Sequence, residues 1–76
     1  MHIGDKIKEV MKQNNVSVEQ LSDTIGSELS NTYRILKKEN MDITLLKRIS
    51  KALNHNFFDD ISQDISLQTN KQTNTQ

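Results

Sequence analysis

Residues 17–38 read SVEQLSDTIGSELSNTYRILKK and predict two short helices separated by a tight turn. Ser17 and, three residues later, Gln20 form a capping box, in which each side chain bonds to a backbone N–H group that the helix start leaves without a partner. Gly26 stands where the chain must reverse direction, since glycine enters the left-handed conformation without steric cost. Because the turn is so short, the second helix must cross the first at a steep angle, which is the helix-turn-helix arrangement.

The pattern of apolar residues extends this helical prediction along the chain. Apolar residues recur at helical spacing in residues 3–13 and 43–53, no proline interrupts them, and Asp42 is placed to cap the later helix. No window alternates apolar and polar residues as a strand would. The predicted helices span about 3–13, 18–25, 28–38 and 43–53, followed by a helical turn or two in 57–65. The predicted fold class is therefore all-α, a compact bundle of about five helices that contains the helix-turn-helix.

Length and composition allow one small domain. The chain has 76 residues, of which 33% are hydrophobic, and the apolar residues almost stop after Leu67. We assign the domain to residues 1–65 and expect residues 66–76, SLQTNKQTNTQ, to form a disordered polar tail. The chain has no cysteine, no 18-residue apolar run and no signal-peptide pattern, which favours a cytoplasmic protein without disulfides or a membrane segment.

The formal net charge is zero, but the charge is distributed unevenly. Residues 1–33 carry three lysines and five acids, residues 34–51 carry six basic residues and two acids, and the remainder carries one lysine and three acids. Positive charge is thus concentrated in residues 34–51, after the turn of the predicted helix-turn-helix. Duplex binding depends heavily on neutralising phosphates, so this region is the candidate for contact with double-stranded DNA.

Helix three, about residues 28–38, has an inner and an outer face. Steps of about 100° per residue place Thr32, Ile35 and Leu36 in one apolar sector and the polar and cationic side chains opposite them. Residues near the N-terminus of such a helix usually reach the base edges in the major groove. The candidate base contacts are Glu28, Leu29, Ser30 and Arg34. The candidate phosphate contacts are Ser17, Asn31, Tyr33, Lys37 and Lys38.

Glu28 has two possible roles. Its carboxylate gains from the helix dipole and could accept a hydrogen bond from cytosine N4, or it could simply repel nearby phosphates. In the first case Glu28 adds base preference, whereas in the second it weakens binding to every duplex.

Three stretches resemble the lambda-repressor-like and Cro-like helix-turn-helix domains, particularly small stand-alone bacterial members. They are IGDKIKEVMKQNNVSVEQLSDTIG, NTYRILKK and ITLLKRISKALNHNFFDDI, and the resemblance covers about Ile3 to Ile65. It implies a bundle of about five helices that binds operator DNA, usually as a homodimer, to regulate transcription. This chain departs from the family pattern at four positions: Ser22 replaces the commonest alanine, Ser27 an apolar turn residue, Glu28 the usual Ser/Thr cap, and Thr32 a β-branched aliphatic residue.

An alternative use of the same fold is a protein–protein interaction module, antitoxin-like or accessory, with weak DNA binding. Zero net charge and Glu28 favour that alternative. His2 and His55 lack a partner at metal-ligand spacing and are interpreted as surface residues. Nothing resembles a nucleophile elbow or a phosphate-binding loop, so we expect no enzyme, metal, cofactor or small-molecule ligand. Phe57 and Phe58 could form a dimer patch, but we favour a core closure with one ring packed inward.

Overall fold

The computed structural model describes residues 1–65 and contains five α-helices within that range. The helices are α1 (Ile3–Asn14), α2 (Val18–Ile25), α3 (Leu29–Ile35), α4 (Ile43–Leu53) and α5 (Phe57–Ile65). The prediction of an all-α bundle of about five helices is confirmed. The predicted polar tail lies outside the described residues.

Short polar side chains and left-handed residues set the helix ends. The Ser17 hydroxyl accepts from the backbone N–H of Gln20 at 3.1 Å, and the Gln20 side chain accepts from the N–H of Ser17 at 2.8 Å. Asp42 caps α4 by accepting from the N–H of Leu45 at 2.7 Å. Gly26, with φ of 69°, ends α2 in the left-handed conformation. The predicted capping box, glycine turn and aspartate cap are therefore all confirmed.

The core forms where the apolar stripes of the helices meet. Helix α2 packs against both α3 and α4, and α1 packs against α4. Twelve buried apolar side chains make this core: Ile3, Ile7, Val10, Met11, Leu21, Ile25, Ile35, Leu36, Leu46, Ile49, Leu53 and Phe57. Because α3 is packed on α2 along one face only, its opposite face is left on the surface.

Helix three is shorter than the predicted span of about 28–38. Glu28 has extended backbone angles and is the N-cap, and the α-helix ends at Ile35. The N–H groups of Lys37 and Lys38 donate to the carbonyls three residues earlier, at 3.2 Å and 3.0 Å, so the chain tightens into a final turn. Lys37 and Lys38 therefore lie just beyond the helix rather than on it.

The start of α1 is joined to the segment that follows α3. The N–H of Ile3 donates to the carbonyl of Glu39 at 3.0 Å, and the N–H of Gly4 donates to the carbonyl of Lys38 at 2.8 Å. These bonds give partners to N–H groups that a helix start leaves free. The approach is so close that a Cβ atom on Gly4 would lie 2.2 Å from the carbonyl oxygen of Leu36. Gly4 therefore allows α1 to hold the segment that follows α3 in place.

The aromatic pair at the start of α5 divides as predicted. Phe57 is fully buried, whereas Phe58 is half-buried and packs on the edge of the core. His55 lies at the surface with its ring half-buried: the ring is 4.6 Å from the Phe57 ring, and Nε2 is 2.5 Å from the carboxylate of Asp60. His2 is also half-buried, and its Nδ1 caps α1 by accepting from the N–H of Asp5.

Candidate nucleic-acid interface

The junction between α2 and α3 is held by backbone and side-chain hydrogen bonds. The N–H of Ser27 donates to the carbonyl of Ser22 at 2.9 Å, which closes the turn after Gly26. Inside the junction, the Ser22 hydroxyl donates to Thr32 Oγ1 at 2.7 Å. The Thr32 hydroxyl in turn donates to the carbonyl of Glu28 at 3.1 Å. The crossing of the two helices is thus fixed by directional bonds as well as by apolar packing.

The two faces of α3 differ as the sequence predicts. Thr32, Ile35 and Leu36 are buried at 0%, 4% and 4% exposure. On the outer face, Leu29 and Tyr33 keep 41% and 50% of their surface exposed. An exposed leucine and an exposed phenol on a packed helix are available to a partner, since neither contributes to the core.

The N-terminal end of α3 presents polar groups to solvent. Glu28 makes no side-chain capping bond, and its carboxylate forms no ion pair with any of residues 1–65. Ser30 is exposed beside it. The Asn31 amide donates to Ser27 Oγ at 2.9 Å, which leaves the second amide hydrogen free to bond elsewhere.

The basic residues that follow in the chain are exposed and uncompensated. Arg34, Lys37 and Lys38 are exposed, and none forms an ion pair within residues 1–65. Lys8 on α1, by contrast, lies 3.2 Å from the carboxylate of Asp5. Exposed cations that form no ion pair among the described residues favour an anionic partner.

Two grooves flank α3 and show which predicted residues the fold brings together. The first groove lies between α1, the start of α2 and α3, and Ser17, Tyr33 and Lys37 line it. The second lies between the turn, α3 and α4. Its lining includes four predicted contacts, Glu28, Ser30, Asn31 and Arg34. Leu29 and Lys38 line neither groove.

Three basic residues outside the predicted contacts also line these grooves. Lys8 and Lys12 of α1 share the first groove with Lys37, and no acidic side chain lines that groove. Arg48 of α4 shares the second groove with Arg34. The sequence places Lys8 and Lys12 in the net-negative stretch 1–33, and only the packing of α1 beside α3 brings them to the basic surface.

Residues 1–65 contain neither a candidate membrane span nor a candidate metal cluster. No helix there combines the length and the apolar composition that a bilayer crossing requires. No three histidine or acidic side chains in the described part of the chain come together as a metal site would need.

Comparison with protein-family models matches residues 6–65 to the model of the Cro/C1-type HTH DNA-binding domain. The match includes α2 through α5 and all but the first residues of α1. Searches of curated proteins and of solved structures found no match.

Proposed function

Because the chain belongs to the family of Cro/C1-type helix-turn-helix DNA-binding domains, we propose that it regulates transcription by binding a specific duplex sequence. Helix α3 lies in the major groove in this proposal. The observation that carries it is the outer face of α3 and its following turn, where Arg34, Lys37 and Lys38 are exposed and unpaired within residues 1–65. A packed inner face and a cationic outer face are what a groove-reading helix requires.

The proposed base contacts lie at both ends of the exposed face of α3, with Leu29 and Ser30 in its first turn and Arg34 in its last turn. Arg34 is exposed, and its guanidinium can bond to guanine O6 and N7 together. The exposed side chain of Leu29 suits a thymine methyl group, and the Ser30 hydroxyl can donate to or accept from a base edge. These three residues supply the base preference in our proposal.

The phosphate contacts lie at the flanks of α3. Lys37 and Lys38 follow the helix, and Tyr33 and Ser17 share the first groove with Lys37. The Ser17 oxygen caps α2 as an acceptor, which leaves its hydroxyl hydrogen to donate to a phosphate. Asn31 retains one amide hydrogen for the same purpose. Lys12 is exposed, makes no ion pair within residues 1–65 and extends this surface onto α1.

Glu28 lowers general affinity in this proposal. Its carboxylate has no capping bond and no ion pair among residues 1–65, so it adds negative charge to the surface that would face a phosphate backbone. If Glu28 instead read a base, it would add preference at one base pair. The variant Glu28→Gln distinguishes this role from simple repulsion of phosphates.

Selection of bound sequences from a random pool of duplex DNA tests the proposal. We expect an enriched sequence, and two symmetric half-sites within it would show that the protein binds as a homodimer. The logarithm of the binding constant for the selected duplex should fall linearly with the logarithm of the salt concentration. Lys47→Ala is a matched control for the removal of an interface lysine such as Lys37, because Lys47 is exposed on α4 and lines neither groove. A pool with no enrichment, together with weak binding to all duplexes, would refute the proposal and favour the interaction module.

A further inference from the structure

Two polar side chains are buried where α2 crosses α3. Ser22 is 6% exposed and Thr32 is 0% exposed, and the Ser22 hydroxyl donates to Thr32 Oγ1 at 2.7 Å. Burying two hydroxyl groups costs free energy, which the hydrogen bond between them offsets. Two apolar side chains of similar size would fill the same space without that cost. Stability alone therefore does not explain why two hydroxyls occupy the junction.

The hydrogen bonds continue from this pair to the start of α3. The Thr32 hydroxyl donates to the carbonyl of Glu28 at 3.1 Å, and the N–H of Thr32 donates to the same carbonyl at 3.0 Å. Ser27, in the turn, places its hydroxyl 3.3 Å from that oxygen as well. A continuous chain of hydrogen bonds thus runs from the middle of α2 to the N-cap of α3.

Such a chain restricts motions that apolar packing permits. Hydrogen bonds weaken steeply with distance and angle, whereas apolar contacts are non-directional. Sliding or rotating α3 along α2 would break the bond between Ser22 and Thr32 and leave the buried Ser22 hydroxyl without its partner, whereas the Thr32 hydroxyl would keep only its bond to the Glu28 carbonyl. Leu29 and Ser30 directly follow the N-cap residue Glu28, so the hydrogen bonds that hold Glu28 also fix the position of these two residues.

We propose that Ser22 and Thr32 are positioning residues that determine base preference at the N-terminal end of α3. The inference rests on the proposed function, since it concerns how α3 reads DNA. Neither side chain reaches the nucleic acid, because both are buried. They act by holding the start of α3 at one angle to α2.

Three variants separate positioning from packing. The double variant Ser22→Ala/Thr32→Val removes both hydroxyls with little change in volume and leaves no hydroxyl unpaired. Thr32→Ser keeps the hydroxyl and removes a buried methyl group, so it lowers stability while preserving the hydrogen-bond chain. Thr24→Val is the matched control, because the exposed Thr24 hydroxyl donates only to the carbonyl of Gln20 within α2.

Sequence selection and titration of single-mismatch duplexes measure the effect. A mismatched base pair ordinarily reduces affinity by about 5- to 150-fold. At the base pair read by the N-terminal end of α3, we expect the ratio of affinities for the matched and the mismatched duplex to be at least about threefold smaller in the double variant than in the wild type. That base pair is identified beforehand as the one whose preference changes in Ser30→Ala. Thr32→Ser and Thr24→Val should retain the wild-type preference, although Thr32→Ser melts at a lower temperature.

Two results would overturn the inference. In the first, the double variant keeps the wild-type preference at every base pair. In the second, Thr32→Ser loses as much preference as the double variant, which would assign the effect to packing. Failure of the proposed function is recognised separately, because the wild-type protein would then show no base preference at all.

Discussion

Replacing Gly4 with alanine should strongly destabilise the protein, even though alanine is the better helix former. A Cβ atom at this position would lie 2.2 Å from the carbonyl oxygen of Leu36 and 2.8 Å from that of Lys38. Ordinary contact begins at 3.4 Å, so the segment after α3 must move away by about 1 Å. That displacement breaks or weakens the two hydrogen bonds by which Ile3 and Gly4 hold the carbonyls of Glu39 and Lys38.

The size of the effect follows from opposing contributions. Leaving a buried backbone group unpaired costs about 1–3 kcal/mol, and the overlap itself costs about as much. Alanine returns at most about 1 kcal/mol through its higher helix propensity. We therefore expect the free energy of unfolding to fall by about 2–4 kcal/mol, which for a domain of this size lowers the Tm by roughly 10 °C or more.

Thermal and urea unfolding followed by circular dichroism measure this change. Gln13→Ala is the control in the same helix, because Gln13 is exposed, and it should alter stability by less than about 0.5 kcal/mol. Gly26→Ala gives a second comparison, since no atom lies within 4 Å of its added Cβ and only the left-handed backbone resists the change. If Gly4→Ala were as stable as Gln13→Ala, the close approach of α1 to the segment that follows α3 would be refuted.

Three predictions concern DNA binding. Arg34→Ala should lose about 1–3 kcal/mol on the selected duplex and relax preference at one base pair; equal losses on random and selected duplexes would assign Arg34 to a phosphate instead. Lys37→Ala should weaken binding to all duplexes alike and reduce the salt slope by about one unit, and an unchanged slope would exclude phosphate neutralisation by this lysine. Glu28→Gln should raise affinity for a random duplex at matched salt, because it removes an unpaired negative charge from the interface. Random-duplex affinity that does not increase would contradict the repulsive role, and loss of preference at one base pair would support base reading.

Local interactions made much of the fold predictable from sequence. The capping box of Ser17 and Gln20 depends only on residues three apart, and the Gly26 turn depends on one residue's backbone freedom. The burial of Thr32, Ile35 and Leu36 follows from helical periodicity. These features were predicted correctly because neighbours in the sequence determine them.

Contacts between distant parts of the chain account for what sequence reasoning missed. Helix three ends at Ile35, and the carbonyls of Lys38 and Glu39 accept from the start of α1, a contact that no local pattern reveals. Gly4 has no turn signal of its own, and its importance comes from the backbone that packs against it.

The candidate interface shows the same limit. Its α3 residues could be named from helical periodicity, whereas Lys12 and Arg48 join it only through the packing of α1 and α4. From the sequence, Ser22 and Thr32 are two separate departures from the pattern that the resemblance implies. Their pairing became visible only when the crossing of α2 and α3 brought the two hydroxyls to 2.7 Å.

Amide chemical-shift mapping with the selected duplex tests the central claim most directly, since it reports which face of the protein meets DNA. Uniformly ¹⁵N-labelled protein is titrated with the selected duplex and, in parallel, with a scrambled duplex at the same salt concentration. We predict that the largest changes lie in residues 28–38 and around Ser17, and that they are larger with the selected duplex. Changes confined to α4 or α5, with α3 unaffected, would contradict the account.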